Sequence, residues 1–534
     1  MSQFNSNESC DKIIEFWKSF FPEINSVEEF NRIVSIFFDE NIEEIVKLRE
    51  EDTLSKKIIG KYFPLENVNI HLKEINSQIQ KEIQWAYFFE PIVNFYFASL
   101  YEKMSYRKSI ENIDFFIKSI LSNLYKKLVN MAYRVIVLEI SIAKEDERLK
   151  GETSVERGKY YCDVLLKDNE YLKEIYEIYP ELIRLLDNRT KNYFDYIDEI
   201  ITNIEQKPEI ELAHIGKIKS IEIGQGDTHN KGRSVAKVVF EKVIFYYKPR
   251  SLSMECKYLE LQNWLKENNN CYHIMKCAKV ISYDSFGLME KIENSECRDM
   301  NDIHDFYYQM GQLLCILFSL NSKDFHCENI IASGYSPIPI DLETFVHVVV
   351  DEIDNDNIIF GVNRVIQDSV IGTSLLPTLL PNMNTEEVIE VGAMGKAEKQ
   401  SSPFKTQILK NIDTDDVQIE FVNKDLPFAL NYPRVNGKII GCSQYLSDVR
   451  NGFSDLYIWI TENKELYINE IKTLFMNTKC RVIAKNTNIY TQLLETGYHP
   501  DLLHNQWDRK IYFCRLGMLF KDNKKYGVSY KMGR

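Results

Sequence analysis

Apolar residues recur at intervals of three and four along the first 205 residues, which is the spacing of an amphipathic helix. The stretch SVEEFNRIVSIFF opens with a possible helix cap at Ser26. The stretch YLKEIYEIYPELIRLLDNRTKNYFDYIDEIITNI repeats the helical period without interruption by glycine. We therefore expect residues 1–205 to form a mostly helical N-terminal region.

The pattern changes after residue 208. In GRSVAKVVFEKVIFYYKPRSL (232–252), β-branched and aromatic residues lie on both sides of Glu241–Lys242 and predict a β-hairpin. Its second strand should end near Lys248, because Pro249 cannot donate a hydrogen bond to the sheet. MECKYLELQNWLKENNN predicts a helix after it. A hairpin followed by a helix is typical of the small lobe of a kinase-like fold, so we expect an α+β chain with a kinase-like core over residues 206–350.

A second apolar pattern, IHDFYYQMGQLLCILFSL (303–320), predicts a helix that leads into KDFHCENIIASGYSPIPIDLETFVH. Asp324, His326 and Asn329 stand there at D-x-H-x-x-N spacing, and a short hairpin should return Asp341 to the side of Asn329. An amide and a carboxylate could then hold Mg²⁺, while Asp324 accepts a hydroxyl proton during phosphoryl transfer. The alternative interpretation is a polar turn with incidental acidic residues.

Two further patterns could bind phosphate. The loop GQGDTHNKGRS (224–234) precedes the first strand of the hairpin and carries Asp227 and His229, although its glycine pattern is incomplete. Lys248 would end the second strand, where a kinase keeps its phosphate-binding lysine; alone, it could equally be a surface lysine. In CRVIAKNT, a strand would place Arg481, Lys485 and Thr487 on one face, where they could hold a phosphate or simply face solvent.

Composition narrows the choice of function. The chain has 534 residues and is 44% hydrophobic. Its formal net charge of −14 argues against non-specific nucleic-acid binding, which needs a basic surface. Its first residues lack the apolar segment of a signal peptide, and no apolar run is long enough to cross a membrane. Eleven scattered cysteines favour a cytoplasmic protein. Cys271, His273 and Cys277 offer a weak alternative, a zinc site with one ligand missing.

Five stretches of the sequence together resemble the dehydratase portion of class II lanthipeptide synthetases, the LanM family: GDTHNKGRSV, YYKPRSL, DFHCENIIASGYSPIPIDLET, DSVIGTSLLP and RVIAKNTNIYTQLLETGYHPDLL. The resemblance implies a bilobal, lipid-kinase-like core, followed over residues 351–534 by activation-type loops and elimination elements. It also implies that ATP and Mg²⁺ are used to phosphorylate Ser and Thr of a ribosomally made precursor peptide. Phosphate β-elimination would then leave dehydroalanine or dehydrobutyrine.

The resemblance also assigns roles to single residues. It matches Asp227 and His229 to the phosphate loop of the family, Lys248 to its nucleotide lysine, Asp324, His326 and Asn329 to its catalytic loop, Asp341 to its metal-binding acid, Glu343 to the acidic partner beside it, and Arg481 and Thr487 to the pair tied to elimination. Lys485 stands where the family commonly has a second arginine, which keeps the charge but loses the bidentate fork.

The signatures of the zinc-dependent cyclase of longer members do not occur in this sequence. We therefore expect thioether rings to require a separate cyclase, and export to require a transporter. Two other functions fit the same residues. The chain could be a kinase-only phosphotransferase, or a non-catalytic subunit that binds the precursor peptide.

Overall fold

A computed structural model describes residues 10–63, 68–207, 210, 212–228, 230–347, 364–381, 388–395, 397–426, 430–481 and 487–519. Of the candidate site residues, His229 and Lys485 lie outside these ranges. The architecture is α+β, as the pattern predicts. Helices make up the first part of the chain, and the first strand begins at Ile218.

The helices of the first part bury apolar residues at the predicted spacing. In the longest of them, Phe116, Ile120, Leu124 and Leu128 follow one another along the buried face. The bounds are α1 Cys10–Ser19, α2 Val27–Phe38, α3 Ile42–Glu50, α4 Leu54–Tyr62, α5 Ile70–Ile79, α6 Glu90–Ser105, α7 Ile113–Glu145, α8 Ser154–Asp163, α9 Asn169–Ile178, α10 Pro180–Glu205 and α11 Leu212–Ile215.

An antiparallel five-stranded sheet follows, in the order β1-β2-β3-β5-β4. The predicted hairpin is present, with Val239 of β2 opposite Ile244 of β3, and β3 ends at Lys248 as expected. Ile218, Ile221 and Val238 are buried in one continuous core with the N-terminal helices. The strands are β1 Ile218–Ile223, β2 Ala236–Phe240, β3 Ile244–Lys248, β4 Val280–Ser282 and β5 Gly287–Glu290.

A second hydrophobic core lies on the other side of a cleft. Two of its helices cross at glycines: a Cβ on Gly311 would meet the carbonyl oxygen of Val449, and one on Gly452 would meet that of Tyr308. Only glycine allows so close an approach of two backbones. The elements are α12 Ser253–Asn268, α13 Met300–Ser319, β6 Ile330–Ser333, β7 Ser336–Pro339, α14 Leu446–Glu462 and α15 Lys464–Phe475.

Between β7 and α14 the described residues form three further antiparallel strand pairs, and the longest of these reaches back to the N-terminal helices. At its tip, Asp415 accepts hydrogen bonds from Arg157 (2.6 Å) and Ser154 of α8. A Cβ on Gly158 would lie 2.6 Å from the backbone of Thr414, so the tip rests directly on this helix. The strands are β8 Leu379–Pro381, β9 Val388–Glu390, β10 Ser401–Lys410, β11 Gln418–Asp425, β12 Arg434–Val435 and β13 Lys438–Ile439.

The last described helices are α16 Thr487–Thr496, α17 Gln506–Tyr512 and α18 Cys514–Leu519. The two last of these pack against α1–α3. The indole of Trp17 donates to the Asp508 carboxylate (2.8 Å), which also accepts from Arg49 (2.7 Å), and Ile511 is buried in the same small core. Within the described residues, none of the helices has the length and apolar character that crossing a membrane requires.

Candidate functional site

The loop after α13 has an unusual backbone that is held by its own side chains. Asp324 adopts a left-handed conformation with φ of 70°, which is uncommon for a residue other than glycine. The Asn329 side chain donates to the Asp324 carbonyl oxygen (2.7 Å) and so closes the loop. His326 caps the short 3₁₀ turn Cys327–Asn329 by accepting from the Glu328 N–H (3.3 Å). Each residue of the D-x-H-x-x-N pattern therefore has a defined place.

The predicted hairpin is formed by β6 and β7, and the Ile340 N–H donates to the Asn329 carbonyl oxygen (3.0 Å). This bond returns Asp341 to the loop 324–329, where Asp324, Asn329 and Asp341 line one cleft. Because the Asn329 amide nitrogen is engaged with the loop, its oxygen is the atom left for a cation. An amide oxygen and carboxylates fit the ligand preference of Mg²⁺, with phosphates and water completing the shell.

Lys248 faces this acidic group from the end of β3. Its side chain is 8% exposed, and its Nζ donates to the Ile340 carbonyl oxygen (2.6 Å) and lies 3.8 Å from Asp341 and from Glu255. Burial lowers the pKa of Lys248, and Asp341 opposes this shift. A buried ammonium so close to the proposed metal ligands can reach the phosphates of a nucleotide in the same cleft.

Sequence reasoning missed the residue that connects this group. Arg250 donates to Asp341 (2.8 Å), Glu255 (2.8 Å) and Glu343 (2.6 Å), and so bridges three carboxylates. Burial alone would lower the pKa of Arg250, but Glu255 and the other two carboxylates raise it above its ordinary value. Glu255 lies in the first turn of α12 and is 5% exposed. The YYKPRSL stretch contained the arginine, but nothing in it indicated these partners.

The two aspartates of the cleft are shifted in opposite directions. Burial raises the pKa of Asp324; the neighbouring His326, whose ring lies 3.6 Å away, partly opposes this effect, and Asp341 adds to it. Burial would also raise the pKa of Asp341, but Lys248 and Arg250 together hold it below its ordinary value. Asp341 therefore stays ionised as a metal ligand should, while Asp324 has the higher proton affinity that a general base needs.

Glu343 joins this group to Arg481. The Glu343 carboxylate accepts from Arg481 (3.2 Å) as well as from Arg250, and the Arg481 N–H donates to the Glu343 carbonyl oxygen (3.0 Å). Arg481 therefore lies at the cleft, but the predicted strand from Arg481 to Thr487 is wrong at its end. Thr487 begins helix α16, because Tyr490, Leu493 and Leu494 already follow helical spacing there.

Two cavities meet at the glycine loop 224–232. The cleft described above has a volume of about 790 Å³, and a neighbouring cavity of about 1240 Å³ shares Gly226, Asp227 and Arg481 with it. Of the candidate residues, the structure gathers Asp227, Lys248, Asp324, His326, Asn329, Asp341, Glu343 and Arg481 around the smaller cleft. Thr487 is placed only by its backbone, at the start of α16.

The alternative zinc site gains no support. Cys271 is exposed, and the Cys277 thiol accepts a hydrogen bond from Gln262 (2.8 Å). Among the described residues, no group of three or more His, Cys, Asp or Glu side chains is arranged to hold a metal ion. Cys277 therefore packs against the second core, whereas Cys271 faces solvent.

The comparisons with known proteins agree with the motifs. The family model of a domain of unknown function, DUF4135, matches residues 179–529. The chain belongs to this family. It is also 27% identical over 400 residues to the lacticin 481/lactococcin biosynthesis protein LcnDR2 of Lactococcus lactis subsp. lactis. That alignment covers 70% of the chain but only 42% of the relative, so the chain spans less than half of that protein. The resemblance to the dehydratase region of LanM proteins is confirmed.

Proposed function

We propose that the chain is a lanthipeptide-type dehydratase that first phosphorylates Ser and Thr of a precursor peptide and then eliminates the phosphate. One observation carries the proposal: Asp324, Asn329 and Asp341 line a single cleft with Lys248, in a member of a family whose relative is named for lacticin 481 biosynthesis. A ribosomally made precursor peptide is the substrate. A separate cyclase and an export transporter complete the pathway. The protein acts in the cytoplasm.

Each side chain has a role in the first step. Asp324 takes the proton of the acceptor hydroxyl, and its raised pKa suits it to that role. Asn329 and Asp341 hold Mg²⁺, and Lys248 with the loop around Asp227 holds the phosphates of ATP. When bound, ATP would supply the phosphoryl group, and Mg²⁺ would neutralise the negative charge on the phosphate oxygens. His326 positions Asp324 and the 3₁₀ turn.

In the second step the Cα proton is removed, the Cβ–O bond breaks, and phosphate leaves with the electron pair. Phosphate is a far better leaving group than hydroxide, so phosphorylation makes dehydration possible under mild conditions. Arg481 lies where the two cavities meet and can bind the departing phosphate, with Lys485 and Thr487 as the further candidates of the same stretch. Glu343 holds Arg481 in place (3.2 Å).

The test incubates the protein with its cognate Ser/Thr-containing precursor peptide, ATP and Mg²⁺, and measures the mass of the product. The wild-type protein should remove water from the peptide. Asp324→Asn should leave the peptide unchanged, because no hydroxyl is activated, whereas Asp305→Asn, an exposed change on α13, should behave like wild type.

Arg481→Ala should separate the two steps. Phosphopeptide should accumulate, while Lys479→Ala, an exposed change two residues away, should have no effect. A wild-type product that keeps its phosphate in the presence of ADP would instead favour the kinase-only function. Failure to bind Mg²⁺–ATP would argue for the non-catalytic, peptide-binding function.

A further inference from the structure

The larger cavity has a wall that the proposed chemistry does not use. It lies between α7, α10, the glycine loop 224–232, strand β10 and α16, and it opens into the catalytic cleft at Asp227 and Arg481. Its volume of about 1240 Å³ exceeds what a single side chain fills. We refer to it as the basic cavity, because of the charges described next.

The sign of the charge in the basic cavity is opposite to that of the whole chain. Six basic residues line it against two acidic ones, Asp227 and Glu495, although the chain carries a formal net charge of −14. A cavity lined by one sign of charge concentrates ligands of the opposite sign. The basic residues are Lys127, Arg134, Arg189, Lys231, Lys405 and Arg481.

Within the ranges that the structure describes, Arg481 alone of these six cations forms a salt bridge, with Glu343. Arg134 donates to the neutral side chain of Gln407 (2.7 Å), and Lys231 and Lys405 are exposed to solvent. Lys127 of α7 and Arg189 of α10 are partly buried without a counterion. Burial lowers the pKa of Lys127 to about 8, with Arg189 adding to the shift, and burial also lowers the pKa of Arg189. Two adjacent, partly buried cations are costly unless an anion joins them.

Both side chains reach the same loop. A Cβ on Gly224 would meet the Lys127 ammonium, and one on Gly232 would meet the Arg189 guanidinium; both glycines have positive φ (102° and 81°). The middle of this loop, Gly226 and Asp227, lines both cavities. An anion between Lys127 and Arg189 would therefore lie in the basic cavity, on the opposite side of the loop from the catalytic cleft.

We propose that Lys127 and Arg189 form a binding subsite for the phosphate of a phosphorylated Ser or Thr in the peptide. The inference rests on the proposed function, since that function produces such a residue. A phosphate monoester carries close to two negative charges at neutral pH and three acceptor oxygens, which match one ammonium and one guanidinium. No bond changes at the subsite. It holds the phosphorylated segment in the protein between transfer and elimination.

The test measures binding without turnover. Isothermal titration calorimetry, in the absence of nucleotide, compares three short alanine peptides with a central phosphoserine, serine or glutamate. Wild type should bind the phosphoserine peptide at least roughly tenfold more tightly than the other two, as expected for charge-assisted bonds to a dianion. Lys127→Gln and Arg189→Gln should each reduce that affinity roughly tenfold or more.

Matched controls separate binding from folding. Lys126→Gln and Lys191→Gln remove exposed cations next to each residue on the same helices and should change nothing. A thermal melt of each variant shows whether it is folded. Lys127→Arg should bind like wild type, because it keeps the positive charge that Lys127→Gln removes.

The pH dependence gives a signature that a purely structural role would not produce. Affinity of wild type for the phosphoserine peptide should fall between pH 7 and 9, as Lys127 loses its proton, and Lys127→Arg should remove this dependence. The other charged groups around Lys127 are Arg189 of α10, Glu222 of β1, Asp227 and Lys231 of the loop, Lys405 of β10 and Glu495 of α16.

Several results would overturn the subsite: no binding by wild type, unchanged affinity in both glutamine variants, or equal binding of the glutamate peptide, which would indicate an acidic segment as the ligand instead. The proposed function fails separately. If wild type dehydrates its precursor but binds phosphoserine independently of Lys127, the proposed function stands and the subsite is refuted. If phosphoserine binding depends on Lys127 but no dehydration occurs, the subsite stands and the proposed function is refuted.

Discussion

Arg250→Met tests whether the carboxylates of the cleft depend on one guanidinium. Arg250 donates to Glu255, Asp341 and Glu343 at 2.6–2.8 Å, and only 22% of its side chain is exposed. Methionine has a similar length and no charge, so the change removes the bridge and keeps most of the packing. The matched variant is Lys248→Met, which removes the neighbouring cation.

The size of the effect follows from what each cation holds. The Glu255 side chain is 4% exposed. Without Arg250, its nearest cation among the described residues would be Lys248, at 3.8 Å. Breaking a buried ion pair costs about 3–5 kcal/mol, and we take the lower end, about 3 kcal/mol, because Lys248 remains and Asp341 is 39% exposed. Lys248→Met loses one hydrogen bond, which costs stability, but it also removes the penalty of burying an ammonium. The free energy of unfolding should therefore fall by no more than about 1 kcal/mol.

Differential scanning calorimetry at pH 8, pH 5 and pH 3.5 gives the answer. At pH 8, Arg250→Met should lower Tm by about 3 °C, because the entropy of unfolding of a chain of 534 residues is about 1.1 kcal/mol/K, and Lys248→Met should lower it by about 1 °C or less. Arg250 keeps the folded-state pKa of Asp341 below its unfolded value, so this stabilisation is present above the unfolded pKa and is lost as the pH falls through the folded pKa. Because an unfolded aspartate has a pKa of about 3.9, the deficit of Arg250→Met should be similar at pH 8 and pH 5 and should narrow at pH 3.5. Equal Tm values for the two variants, or a deficit that widens at pH 3.5, would refute the reasoning.

Three further changes have expected outcomes. Gly158→Ala should loosen the tip of the β10–β11 hairpin, because the added Cβ meets Thr414, and hydrogen exchange should rise at residues 411–417 while the sheet β1–β5 is unaffected. Gly311→Ala should cost several kcal/mol of stability, measured by thermal unfolding, because the backbones of α13 and α14 cannot separate without opening the second core. His326→Gln should move the acidic limb of the phosphorylation pH profile upward, since His326 lowers the raised pKa of Asp324. A limb that stays in place would argue against that coupling.

Local patterns predicted the elements around the cleft well. The hairpin that ends at Lys248 and the return of Asp341 to Asn329 both follow from alternation and turn residues within a few positions. Glu255 was missed because an acidic residue in the first turn of a helix is ordinary on electrostatic grounds alone. Arg250 was missed because two of its partners, Asp341 and Glu343, lie about ninety positions further along the chain, and no local signal encodes that contact.

The same limit applies to long-range chemistry. Lys127 and Arg189 lie on different helices, each at an unremarkable position of an amphipathic pattern, and only the packing of α7 beside α10 brings them to one loop. The strand expected to end at Thr487 failed for a different reason. Threonine is favoured both in strands and at helix starts, so the apolar spacing that follows Thr487 decided the outcome.

The contact between Trp17 and Asp508 has a consequence for how the protein is made. The indole and its carboxylate partner are 491 positions apart, and Phe21 and Ile33 are buried in the same small core. A ribosome adding about 5–20 residues per second needs roughly 25–100 s to deliver the second half of that contact. Throughout this interval the apolar surface of α1–α3 that Ile511 later covers remains open. Chaperone protection of the nascent chain is therefore most important for α1–α3, which wait for a partner made much later.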